Sequence, residues 1–157
     1  MRKIDQLLAE YGESHQNSTN KAIHWICVPL IFFSVLGLFA SIPAGPVQYL
    51  LGDNPYAHWA TVFVILGLAY YVTLSIPLAF GMMLFSAMCL YFINVITSQG
   101  WTLWVVCLTI FVLAWIGQFY GHKVEGKKPS FLKDLQFLLI GPAWLMHFVF
   151  KRMGIPY

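Results

Sequence analysis

Charge is scarce in this chain. Nine lysines and arginines and six aspartates and glutamates make up 10% of its 157 residues. Soluble domains carry about 25% charged residues, so a water-facing surface around an ordinary core is excluded. Charge is missing altogether from four long stretches, 24–42, 59–76, 77–96 and 101–120. Cysteine is sparse too. Cys27, Cys89 and Cys107 are an odd number, lie inside apolar stretches and form no CxxC, so neither a disulfide framework nor a thiolate metal site is expected. No internal repeat or low-complexity run is present, which argues against a repeat-built transporter. Nothing points to a nucleic-acid partner. The first apolar run follows a polar stretch of more than twenty residues, so no cleavable signal peptide is expected.

What the chain does have is hydrocarbon, 59% hydrophobic residues with a mean hydropathy of +0.71. Each charge-free stretch approaches the ~20 residues a helix needs to cross ~30 Å of lipid. Backbone groups in lipid must be satisfied within the segment, so these are helices. The expected fold is therefore all-α, an integral membrane bundle of four transmembrane helices in one domain covering 1–157. Tight connections at Pro77 and at Ser98–Gly100 predict antiparallel hairpins. Residues 4–11 place Ile4, Leu7, Leu8 and Tyr11 on one face, as in a short interfacial helix. Residues 131–150 are apolar, but Lys133 and Asp134 shorten them and Gly141-Pro142 interrupts them. A broken or re-entrant element is expected there rather than a fifth span.

Lysine and arginine occupy positions 2, 3, 21, 123, 127, 128, 133, 151 and 152, and none falls in 43–58, 75–77 or 97–100. With four spans, all nine share one side, which the positive-inside rule makes cytoplasmic. A bacterial inner membrane is the expected location, or the ER membrane in a eukaryote.

Five histidines are present. His15 and His24 flank the start of the first span, His122 follows the last, and His147 returns towards the same side, whereas His58 sits at the opposite end. Four imidazoles can thus meet at one membrane boundary, where ionisable groups are costly and mark functional sites. Neutral imidazole is the commonest ligand for iron, zinc, copper and nickel. The plainer reading is a set of interfacial anchors and helix caps. Nine residues of ideal helix would put His15 and His24 on opposite faces, so convergence requires the chain to turn between them. The intervening "HQNSTN" has the capping and turn chemistry for that. In "GQFYGHKVEG", Gln118 and His122 share a helix face and Glu125 follows three residues later. A carboxamide or carboxylate beside a ligating histidine is a usual supporting arrangement. A helix C-terminus with glycine breakers reads the same way. Met82, Met83 and Met88 fit ordinary helix packing.

Two motif blocks stand out together. Tyr11, His15, Asn17, Asn20, Ile23, His24 and Pro29 form the first, and Gln118, Phe119, Gly121, His122, Glu125 and Pro129 the second. The chain resembles the membrane family of 2-hydroxy fatty acid dioxygenases, over nearly its whole length. That resemblance implies an Fe(II)-dependent enzyme that oxidatively decarboxylates 2-hydroxy fatty acids with O₂, shortening them by one carbon in phytosphingosine breakdown. It implies His15, His24 and His122 as iron ligands; His147 lies outside both motif blocks and is taken as a fourth ligand from its return to the same side. Asn17, Asn20, Gln118 and Glu125 become supporting or substrate-contacting groups. A site at the membrane boundary lets the alkyl chain stay in hydrocarbon between helices, alongside membrane lipid. Lys127 and Lys128 could attract the substrate carboxylate or anionic headgroups equally well. The rival readings are a non-enzymatic four-helix scaffold, a lipid-binding protein, and a zinc or two-metal membrane enzyme.

Overall fold

The computed structural model describes residues 2–126 and 137–157, and among these every regular element is a helix. In chain order they are α1 (Lys3–Gly12), α2 (Ser18–Ala40), α3 (Gly45–Leu51), α4 (Trp59–Leu74), α5 (Ile76–Ser98), α6 (Leu103–Glu125) and α7 (Ile140–Met153). Lys127, Lys128, Lys133 and Asp134 lie outside the described residues.

Among the described residues three helices, α2, α5 and α6, are long and apolar enough to cross a membrane. The expected fourth span is shorter than its sequence suggests. Ser75 adopts extended backbone and its hydroxyl accepts from the Leu78 amide, so it stops α4 and caps α5. Pro77 then sits in the first turn of α5, where its missing N–H breaks no bond. Sixteen residues remain for α4, about 24 Å of helix at ~1.5 Å per residue.

The most extensive pair is α2 with α6, antiparallel, with glycines of each helix against small side chains of the other. A Cβ on Gly37 would lie 2.1 Å from the Cys107 sulfur, one on Gly117 2.6 Å from the Cys27 sulfur, and one on Gly121 2.4 Å from Asn20 Oδ1. Van der Waals packing between small residues drives helix association where lipid removes the hydrophobic incentive. The cysteines are therefore packing residues, as their burial indicates. Gly117 and Gly121 form a GxxxG pair, a sequence signal for this contact that composition and charge do not reveal. Of the two expected hairpins, α4–α5 packs closely, whereas α6 leans on α2 and only lightly on α5. Gly37→Ala is expected to lower stability by about 1–3 kcal/mol through overpacking. Adding Cys107→Ala should recover most of the loss, read as melting temperature in detergent.

The apolar face of α1 does not rest on the surface. Ile4, Leu8 and Tyr11 are buried, and α1 packs on α7. Leu139 lies close to Gly67, midway along α4, and the Tyr71 hydroxyl donates to the Leu139 carbonyl at 2.5 Å. From there α7 leads back to the end of the bundle holding the α2 N-terminus; the first part of the apolar stretch 131–150 lies outside the described residues. Gly141 and Pro142 do not interrupt that helix; they occupy its first turn. Gly141 packs closely there, where a Cβ would press on the Tyr11 hydroxyl at 3.0 Å and Val28 at 3.2 Å.

Candidate metal centre

The antiparallel register of α2 and α6 brings the start of one helix to the end of the other. Gly126, in the left-handed region at φ 74°, closes α6. The last residue of the helix, Glu125, then reaches across to the loop between α1 and α2. Its Oε1 accepts from the Gln16 amide at 2.9 Å, and its Oε2 from the Asn17 amide at 2.9 Å and Asn20 Nδ2 at 3.0 Å. Asn20 Nδ2 also donates to the Ser14 carbonyl at 3.2 Å. Asn17 caps α2, its Oδ1 accepting from the Thr19 amide at 2.8 Å and the Asn20 amide at 3.4 Å. The polar segment before the first span thus folds as a clamped turn, and the chain does reverse between His15 and His24.

His15 hangs from this turn and His24 from the second turn of α2. Each donates through Nδ1 to the backbone carbonyl four residues before it, His15 to Tyr11 at 2.6 Å and His24 to Asn20 at 2.9 Å. A carbonyl only accepts, so both Nδ1 atoms carry the proton and both Nε2 atoms present lone pairs. Those two Nε2 atoms are 2.7 Å apart. Two lone pairs at that distance repel unless a cation lies against them. His122 completes the cluster, its ring centroid 5.3 Å from that of His24 and 5.6 Å from that of His15. One ligand atom from each of the three lies within 4.8 Å of the others, and all three residues are buried. A proton shared by His15 and His24 would leave an imidazolium buried among imidazoles, which is costly. A divalent ion uses all three lone pairs. The two backbone-anchored Nδ1–H groups are what a metal-bound histidine requires of its surroundings. The donor set fits a metal ion.

The profile of the family described as 2-hydroxy-palmitic acid dioxygenase Mpo1-like matches residues 1–153. The chain belongs to this Mpo1-like family. No curated protein and no solved structure matches it.

Other sequence-predicted residues of this Mpo1-like chain fall into distinct places. Gln118 is buried and lines a cavity of about 40 Å³ together with His24, Tyr11, Ile31 and Trp115. That space suits about three water-sized groups. Asn17, Asn20 and Glu125 hold the His15 turn rather than line this cavity. His147 is not drawn into the cluster. It sits on α7, hydrogen-bonded to the Tyr157 hydroxyl and against the ring of Phe148. Burial, aided by the nearby Lys151 ammonium, holds its pKa below the ordinary value. His58 lies at the far end of the bundle, preceding α4.

Two neighbours of the site escaped sequence reasoning in that role. The Tyr11 ring stacks on His15 with centroids 4.3 Å apart and planes 10° from parallel. Trp144, also buried, packs on both His15 and Tyr11 at 5.4 and 5.3 Å. Tyr11 stood in the motif; Trp144 stood in an apolar run with nothing to set it apart.

Proposed function

We propose that this chain is an Fe(II)-dependent membrane dioxygenase that oxidatively decarboxylates 2-hydroxy fatty acids, with His15, His24 and His122 as the metal ligands. The observation that carries the reading is the pair of Nε2 lone pairs facing each other at 2.7 Å beside a third buried imidazole. Family membership supplies the reaction class. The overall change balances as R–CH(OH)–COOH + O₂ → R–COOH + CO₂ + H₂O. The substrate's C1–C2 and C2–H bonds break and supply the four electrons that O₂ takes up, so no other reductant is needed. Iron(II) held by few protein ligands would supply O₂ activation and positions for the 2-hydroxy carboxylate.

The chain's own residues do the positioning. Tyr11 and Asn20 carbonyls fix which nitrogen of His15 and His24 is offered. Glu125 keeps the His15 turn against α6. Tyr11 and Trp144 cover His15 and exclude water from it. Gln118 lines the cavity beside His24, where its carboxamide can hydrogen-bond a substrate hydroxyl or carboxylate. The proposed setting is the cytoplasmic boundary of the membrane.

Protein purified anaerobically is expected to hold about one iron per chain and to convert 2-hydroxyhexadecanoate to a product one carbon shorter with uptake of one O₂. Stoichiometric zinc, or no metal and no conversion, would overturn the reading in favour of a zinc enzyme or a non-enzymatic membrane protein.

A further inference from the structure

An apolar groove of about 460 Å³ runs between α2, α4 and α6, and it is not an isolated feature of the lipid-facing surface. Ile31, Trp115 and Leu138 line both this groove and the small cavity that contains His24 and Gln118. The apolar groove and the cavity lined by His24 and Gln118 therefore lie side by side, with these three side chains between or along them. Its far part is bounded by Phe39 and Phe63, whose rings stack with centroids 5.0 Å apart. Val35, Leu38 and Phe111 lie between, all only partly exposed. Leu113 and Ile116 on the outer face of α6, by contrast, are 63% and 59% exposed. The groove's volume falls within the ~300–1,000 Å³ of small-molecule sites.

We infer that this groove holds the alkyl chain of the substrate, with its 2-hydroxy carboxylate at His24 and Gln118 and its tail towards the Phe39–Phe63 stack. The inference rests on the proposed dioxygenase reading for the identity of the head and on the shared lining residues for the path of the tail. From His24 to Phe39 is fifteen residues of α2, about 22 Å of helix. One leaflet is about 15 Å of the ~30 Å hydrocarbon core, so the path is long enough for a chain as long as those of membrane lipids. A chain entering from the bilayer leaves one hydrocarbon setting for another and gains little from transfer. Length is therefore read by fit against the groove's far end. Val35 and Leu38 are the positions where added bulk shortens the path.

The test uses 2-hydroxyhexadecanoate with a diazirine at its terminal carbon, added to the full chain in phosphatidylcholine nanodiscs and photolysed. Adducts are expected on Leu38, Phe39 or Phe63, and excess unlabelled 2-hydroxyhexadecanoate should remove them. Val35→Trp and Leu38→Trp should move the label off Phe39 while bound iron is kept. They should also raise the turnover ratio of a 2-hydroxydecanoate over 2-hydroxyhexadecanoate by at least about tenfold. Adducts confined to Leu113, Ile116 and other outward residues would overturn the groove. So would labelling of the same residues by a diazirine phospholipid that the hydroxy acid fails to displace. Competed label at Phe39 without turnover would sink the dioxygenase reading and leave the groove standing. Turnover with label elsewhere would sink the groove alone.

Discussion

His24→Ala is expected to strip the protein of iron and to reduce turnover by more than about 100-fold, beyond the loss that removal of a supporting partner causes. His24 contributes one of three ligand atoms lying within 4.8 Å of one another, and its ring is held by the Asn20 carbonyl. His15→Ala and His122→Ala should behave alike, whereas His147→Ala should keep its iron because its partner is the Tyr157 hydroxyl. The metal-free chain gives a second readout. Without a cation the two facing Nε2 atoms repel, so relief of that repulsion should offset part of the cavity cost of His24→Ala in the apo protein. In the wild type, Fe(II) at 100 times its Kd should stabilise by about 2.7 kcal/mol, raising the melting temperature; a chelator should reverse the rise. His24→Ala should show no such dependence. Iron retained at one per chain in that variant would end the assignment.

Glu125→Gln is expected to weaken iron binding by about 10–100-fold with the helical content unchanged. The carboxylate accepts from three N–H groups at 2.9, 2.9 and 3.0 Å, two from the turn backbone and one from Asn20. A carboxamide turns one acceptor oxygen into an NH₂ facing a donor. The turn that carries His15 then loses part of its tether to α6. These bonds are partly exposed, so their share of global stability is small; their effect is on where His15 sits. The predicted signature is a higher metal concentration for half-maximal activity with kcat recovered at saturation. An unchanged metal titration would show that the turn holds itself in place, through Asn17 capping and the Asn20–Ser14 bond alone.

The distinct fates of Glu125 and His147 show how legible the site was. Glu125 and His122 were placed near His15 by topology, since an even number of crossings returns the chain to the same side. His147 was placed there by the same reasoning and was not brought to the cluster. Sidedness constrains depth but not azimuth around the bundle, and α7 directs His147 towards Tyr157. The end of α4 was legible to within two residues, since the connection expected at Pro77 falls at Ser75. Pro77 marked the connection, and the extended backbone at Ser75 moved the boundary earlier.

Composition and the placement of charge by themselves pointed to an all-helical chain with helices long and apolar enough to cross a membrane. They also determined that the polar segments of residues 11–24 and 118–125 share one end of the bundle. Only the tertiary structure decided that three imidazoles of the four converge, and which nitrogen each of His15 and His24 offers. Those outcomes depend on the Gly117, Gly121 and Gly37 contacts that set the α2–α6 register to within a fraction of a turn. They depend equally on hydrogen bonds from side chains to carbonyls. The GxxxG spacing of Gly117 and Gly121 marks a close helix contact in the sequence, but neither its partner helix nor the side-chain-to-carbonyl bonds can be read from it.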